Sequence, residues 1–174
     1  MAEVELTQGK VALVDDEDLE WLSQWKWHAH QGGGTFYAAR HTPRDPKTGE
    51  QSTVYMHRVV LDAELGTQVD HINANGLDNQ RANLRLCSNA QNHMNQRKRY
   101  GTSQWKGVSW QKQHAKWRAD IKLNGKKIHL GYSNDEADAA RAYDDRARVL
   151  FGQYARLNFP RKGEQSALSR GEGA

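Results

Sequence analysis

The chain holds a single cysteine, Cys87. That excludes an intrachain disulfide and any zinc site built on paired cysteines, so no structural zinc is expected. Cys87 suits a small core position. Hydrophobic residues make up 37% of the sequence, below the usual globular share. Small modules around local cores are therefore expected rather than one large core. No apolar run reaches membrane length and no signal peptide is evident, so no membrane partner is expected. The setting expected from these features is a reducing cytoplasm.

Acids are scarce in one stretch. Residues 97–127 carry ten Lys/Arg against one acid, Asp120. The formal net charge is +4 overall, but residues 1–100 sum to −2 and residues 101–160 to +5. A basic strip of this kind is the electrostatic footprint of a protein that binds phosphate backbones. Double-stranded DNA is the expected partner.

The remaining chemistry concentrates in residues 69–97. Asp70 and His71 close a short apolar run. A Gly/Asn-rich turn follows, from Asn73 to Asn79. Asn83 precedes a second strand-like piece, Leu84-Arg85-Leu86-Cys87. Ser88 is a good helix N-cap, and residues 89–97 can form a short helix carrying Asn92. Carboxylate and amide oxygens are hard ligands suited to Mg²⁺, which keeps several waters and binds substrate phosphate. A neutral His beside them can take a proton from an attacking water.

Asp70-His71, Asn83 and Asn92 together resemble the HNH nuclease motif, in the form found in phage and intron-encoded homing endonucleases. Met56-His57-Arg58-Val59-Val60 is similar to that family's lead-in. The resemblance implies a ββα-metal fold with Asp70 and Asn92 holding Mg²⁺ or Mn²⁺. It also implies His71 as general base and Asn83 as the residue holding the His71 ring. Turn formation alone would account for the loop's Asn, Asp and Gly, but it does not call for the adjacent His or the helix Asn. His93 is a rival ligand to Asn92. His57 fits equally a place near the metal or a structural, hydrogen-bonded role.

Ahead of this motif, Gly9 to Val14 reads as a strand. Leu19, Trp21, Leu22 and Trp25 share a helical face behind acids suited to a helix start. Trp21, Trp25 and Trp27 read as core anchors. Residues 31–34 read as a turn, 36–40 as a strand, and 53–60 as a returning strand.

Beyond a basic linker, residues 105–160 form a second module. Residues 116–123 alternate, with Trp117, Ala119, Ile121 and Leu123 on one side and Lys116, Arg118, Asp120 and Lys122 on the other. Asn124-Gly125 is a strong hairpin signal. Beyond it Ile128 and Leu130 turn inward, Lys127 and His129 outward. Ser133 or Asn134 can cap a helix running to Leu150, with Ala137, Ala140, Tyr143 and Ala147 at helical spacing. The result is a three-stranded antiparallel sheet plus one helix, with an open basic face that suits the major groove.

Trp-Lys-Gly-Val, Lys-Trp-Arg-Ala-Asp-Ile, Leu-Gly-Tyr, the Ala-rich helix and the closing 155–160 segment resemble the plant ethylene-response-factor DNA-binding domain. By position, the resemblance implies Lys106, Asp120, Lys122, Lys127 and His129 at the DNA, with Lys116 on phosphate. Strand parity adds Arg118. Ser109 stands where that family usually has Arg, and His129 replaces a Trp, so the plant target sequence does not transfer.

The expected fold class is therefore α+β. Residues 1–53 form a small α+β lead-in, 54–97 a ββα-metal HNH nuclease module and 98–104 a basic linker. Residues 105–160 form the DNA-binding domain and 161–174 a disordered tail. The expected function is a metal-dependent homing-type DNA endonuclease that nicks as a monomer. Monomer and homodimer both remain open. The competing class is a non-catalytic DNA-binding regulator with a nuclease-derived fold.

Overall fold

The computed structural model describes residues 1–96 and 101–167 and divides into two compact units, Met1–Ser88 and Asn89–Ala174. Both mix helices with small sheets, giving an α+β protein. Among the described residues, no helix is long and apolar enough to cross a membrane. Residues 97–100, in the expected helix end and linker, and 168–174, in the expected tail, lie outside the described residues.

In the first unit, β1 (Ala2–Glu5) and β2 (Val11–Val14) form an antiparallel hairpin. Helix α1 (Asp16–Leu22) follows, with Asp16, Glu17 and Asp18 in its first turn, where the helix dipole favours negative charge. Strands β3 (His28–Gly32), β4 (Thr35–His41) and β5 (Thr53–Tyr55) form an antiparallel sheet. Helix α2 (Met56–Val60) leads to the β6 (Gln68–His71) and β7 (Leu84–Cys87) hairpin. Val4, Val14, Leu22, Trp27, Ala38, Met56, Val69 and Leu84 share one core, so the lead-in and the hairpin are not separate bodies. Truncating a buried residue such as Leu22 to Ala in such a core costs about 2–5 kcal/mol.

Polar staples reinforce this union. The Leu13 N–H donates to Leu77 O at 2.8 Å and the Asn79 N–H to Leu13 O at 2.7 Å. Buried Asp18 receives Arg81 Nε at 3.0 Å, Arg81 Nη2 at 2.7 Å and Trp21 Nε1 at 2.9 Å. This fork fixes α1 against the turn that precedes β7.

Three local expectations are corrected here. Residues 28–32 form a strand, so the turn shrinks to the link between β3 and β4. The expected strand over 53–60 stops at Tyr55 and becomes α2, because Met56, His57 and Val60 bury one short helical face. Trp25 lies past the end of α1 and is 47% exposed. The Arg40 guanidinium sits 4.0 Å from its ring centroid, a cation–π contact rather than a core position.

The second unit begins with α3 (Asn89–Met94), so the contact boundary falls at Ser88 rather than at the basic linker. Strands β8 (Val108–Gln111), β9 (Lys116–Leu123) and β10 (Lys126–Ser133) form the expected antiparallel sheet. Asn124 and Gly125 both have positive φ, at 49° and 79°, as a type I′ hairpin turn requires. Helix α4 (Glu136–Phe151) packs Tyr143, Ala147 and Phe151 on Ile121 and Leu157. Its N-cap is Asp135, whose carboxylate accepts the Asp138 N–H at 2.9 Å. Ser133 Oγ instead accepts the Asp135 N–H at 3.0 Å, so neither Ser133 nor Asn134 is the cap.

The start of the expected disordered tail is structured. Strand β12 (Gln165–Ser166) pairs in parallel with β11 (Arg156–Leu157). Glu164 receives Arg148 Nε at 2.9 Å and Arg148 Nη2 at 3.0 Å. An ion-pair fork and a backbone ladder thus order a stretch that composition alone marks as polar loop.

Candidate active site and nucleic-acid interface

Asp70 and His71 are successive residues of β6, so their side chains leave opposite faces of the strand. Asp70 lies opposite Arg85 in the ladder and His71 opposite Leu84. Arg85 Nε and Nη2 reach Asp70 Oδ2 at 2.8 and 2.7 Å, and both side chains are largely buried. Removing either partner would leave the other without its ion pair in a largely buried place.

His71 is 6% exposed. The ring of His57 meets it edge-on at 4.9 Å between centroids, and Tyr37 lies 5.8 Å away. Burial pushes the His71 pKa down, opposed by the side-chain amide of Asn79 and then by the charges of Asp70 and Asp78. Burial, then His71 and Arg58, push His57 to about 3. Both rings are therefore neutral at pH 7, the state in which an imidazole nitrogen can accept a proton. His57 Nδ1 is buried with no hydrogen-bond partner among the described residues. His57 thus packs its ring against that of His71.

The loop between β6 and β7 is built from Asx turns. Asn73 Oδ1 accepts the Asn75 N–H at 2.8 Å and Asn75 Oδ1 the Leu77 N–H at 3.2 Å. Asn83 closes this loop: its Oδ1 accepts the Asn73 N–H at 3.0 Å and its Nδ2 donates to Asp78 O at 2.8 Å. The Asn83 amide is thus spent on the loop backbone and not on the His71 ring. The amide that acts on the titration of that ring is Asn79, fully buried; its Nδ2 donates to Leu77 O at 3.2 Å and its Oδ1 has no hydrogen-bond partner among the described residues.

The sequence pattern places Asn79 in the turn and gives Tyr37 no part in the site. Only the spacing of Asn79, eight residues beyond His71 and inside a loop otherwise rich in Asn, could have drawn attention to it. Gly76 explains how Tyr37 comes so near. A Cβ there would stand 2.4 Å from Phe36 O and 2.7 Å from the Tyr37 ring, so only glycine lets the loop lie on β4.

Asn92 lies on α3, half-buried, and His93 beside it is exposed. Both belong to the second unit. Among the described residues, no three His, Cys, Asp or Glu side chains gather into a metal-binding group. The hard oxygen donors acting on this region are the carboxylates of Asp70 and Asp78 and side-chain amides. Such a sparse set of hard oxygen ligands fits a divalent cation that keeps most of its water, as Mg²⁺ does. It does not suit a soft metal. Cys87 is buried, and burial and the Asp70 charge push its thiol up to about 11.

In the second unit, the register of β8, β9 and β10 puts Lys116, Arg118, Asp120, Lys122, Lys127 and His129 on one face. Asp120 is buried at its centre and receives Arg118 Nε at 2.9 Å and Lys127 Nζ at 3.0 Å, with His129 Nδ1 at 3.4 Å. Burial pushes its carboxyl up, but hydrogen bonds from Lys127 and Arg118 outweigh this and hold it below the usual range. Asp120 therefore orders the cations around it, while Lys116 and Lys122 are exposed. Tyr132 joins this face because a bulge between His129 and Gly131 shifts the register, bringing its ring to 4.6 Å from His129. Lys106 stands apart, since it precedes β8 and its Nζ donates to Met94 O and Gln96 O, both at 2.8 Å. Burial and Arg156 push that ammonium down to about 7.

Residues 54–94 match the HNH endonuclease family. A 93-residue stretch is 35% identical to Protein 3.8 of Escherichia phage T7, covering 53% of this chain and 76% of that protein. Over 157 residues the chain is 26% identical to an uncharacterized HNH endonuclease of Acanthamoeba polyphaga mimivirus, covering 87% and 76% respectively. A 62-residue stretch is 39% identical to Dehydration-responsive element-binding protein 2C of Arabidopsis thaliana, covering 34% of this chain but only 18% of that protein. The chain thus belongs to one family with Protein 3.8 of phage T7 and carries an HNH endonuclease domain over residues 54–94.

Proposed function

We propose that this protein is a metal-dependent DNA endonuclease of the homing or mobile-element type. In this proposal the first unit cuts and the sheet of the second unit holds the duplex, in the manner of an ethylene-response-factor domain. The observation that carries it is His71, a nearly buried imidazole that burial keeps neutral.

His71 accepts a proton from water as the water oxygen attacks phosphorus. The bond from phosphorus to the 3′ oxygen breaks, and that oxygen leaves and takes up a proton. The products carry a 3′ hydroxyl and a 5′ phosphate. A bound divalent cation supplies charge stabilisation at the phosphate and at the leaving oxygen. Asp70 is the protein ligand offered by the first unit, and Asn92 enters as a second ligand from the sequence pattern alone. Arg85 holds Asp70 in place, and Asn79 holds the imidazole.

Lys116, Arg118, Lys122, Lys127 and His129 are the proposed DNA contacts, ordered by Asp120. Lys106 is left out because its ammonium already serves chain carbonyls.

One catalytic unit per chain cuts one strand, so a monomer converts supercoiled plasmid to open circles. The deciding assay is plasmid nicking with Mg²⁺, with Mn²⁺ and with chelator. Loss of nicking in His71→Ala with duplex binding retained is the expected result. Undiminished cleavage by that variant would overturn the mechanism. Duplex binding without cleavage by the intact protein under any cation would leave the regulator class.

A further inference from the structure

One face of the β3–β4–β5 sheet has no role in the chemistry above. Strand parity puts His28 and His30 of β3, Tyr37 and His41 of β4, and Thr53 and Tyr55 of β5 on it. The opposite face carries Ala38 into the core. The rings touch in sequence. His41 stacks on His28 at 5.0 Å, His28 lies 6.5 Å from His30, and His30 meets Tyr55 edge-on at 5.6 Å. Tyr55 then stacks on His57 at 5.5 Å, and His57 meets His71 at 4.9 Å. Exposure falls along this row, from exposed His41 and Thr53 through half-buried His28, His30 and Tyr55 to buried His57 and His71.

The composition of the face is selective. Residues 1–88 hold thirteen Asp/Glu against eight Lys/Arg, yet no acid stands on this face. Its polar atoms are imidazole nitrogens and hydroxyls, which can donate to phosphate oxygens. Its rings offer flat surfaces to sugars and bases.

We infer that this His/Tyr face is the track along which the sugar-phosphate backbone of the DNA runs into His71. The inference rests on the endonuclease reading and adds the substrate's path to it. The sheet edge at His41 and Thr53 then lies upstream of the cut, and the ring row guides the strand toward the buried base.

Two measurements on the full chain test this. In the first, an iron–EDTA group is tethered at Thr53→Cys, and hydroxyl-radical scission of an end-labelled duplex is read. Glu5→Cys on β1 is the tethered control. Wild type, with its thiol buried at Cys87, is the untethered one. Scission from position 53 well above both controls is the expected result. Scission no greater than from position 5 overturns the inference, whether or not the protein nicks.

In the second, His41→Glu places one negative charge on the track. Like-charge repulsion raises the protein concentration for half-maximal plasmid nicking about tenfold, with the maximal rate retained. Nicking kinetics equal to wild type overturn the inference. A silent tether in a protein that nicks removes only this track. A productive tether in a protein that never nicks leaves the track standing and removes the endonuclease reading.

Discussion

Asn79→Ala separates the two amides that share the active-site loop. The substitution removes a fully buried side chain that couples to His71 and donates to Leu77 O at 3.2 Å. Leu77 O keeps the Leu13 N–H, so the lost hydrogen bond costs about 0.5–1.5 kcal/mol, which a urea titration will read as a lower midpoint. The larger effect is on chemistry, because groups that orient a reacting imidazole are each worth roughly 10- to 100-fold. Single-turnover nicking should therefore slow by that factor while the protein concentration for half-maximal rate stays put.

The pH profile supplies the sign. Asn79 raises the His71 pKa against burial, so its loss lowers that pKa further. In the proposed mechanism His71 works as a base only when neutral, so the acid limb of the nicking profile should move to lower pH. Asn83→Ala, which frees the Asn73 N–H and Asp78 O, should instead lower stability without moving that limb. A shifted acid limb in Asn83→Ala, together with an unshifted one in Asn79→Ala, would refute the assignment of the two amides.

Gly76→Ala should cost about 1–3 kcal/mol of stability and slow nicking as well, because its Cβ meets Phe36 O and the Tyr37 ring; a silent substitution would mean the loop does not lie on β4. Asp18→Ala removes the carboxylate that receives Arg81 and Trp21, with an expected loss of about 2–3 kcal/mol by urea titration; an unchanged midpoint would dismiss the fork as a staple. Hydrogen bonds from Arg148 hold Glu164 at about 2 against an ordinary 4.5, so its contribution is present above pH 4.5 and is lost as pH falls toward 2. Glu164→Gln should therefore lower the thermal midpoint at pH 7 and converge with wild type near pH 2, and an equal gap at both pH values would contradict the pairing. Lys122→Ala should lower duplex affinity across all sequences and reduce the salt slope by about 1; an unchanged slope would take Lys122 off the phosphates.

The second unit was the more legible of the two because its signals are local. Alternation over 116–123 and the Asn124-Gly125 turn specify a hairpin within the hairpin's own residues. The lead-in was less legible because its structure is set at long range. Residues 28–32 alternate His with Ala and Gln, a pattern that reads as strand only once β4 lies beside it. Residues 53–60 carry enough β-branched and aromatic residues to look extended throughout, yet the core claims Met56, His57 and Val60 on a helical turn. At the site, adjacent Asp70 and His71 are visible in any reading. The division of labour between Asn79 and Asn83 is not, since both are loop amides and only the fold decides which one turns toward the imidazole. Asp120 shows the same limit. Its strand parity is readable, but its role in gathering Arg118, Lys127 and His129 needs the neighbouring strand.

The backbone clasp between Leu13 and the segment from Leu77 to Asn79 means that the first fourteen residues, which contribute no reacting group, are nonetheless part of the machinery. A protease nick or an engineered deletion in that opening hairpin would leave every reacting side chain in the polypeptide while letting go of the strap that keeps Asn79 under the imidazole. The proposed nicking would then vanish from a molecule whose HNH motif is letter-perfect.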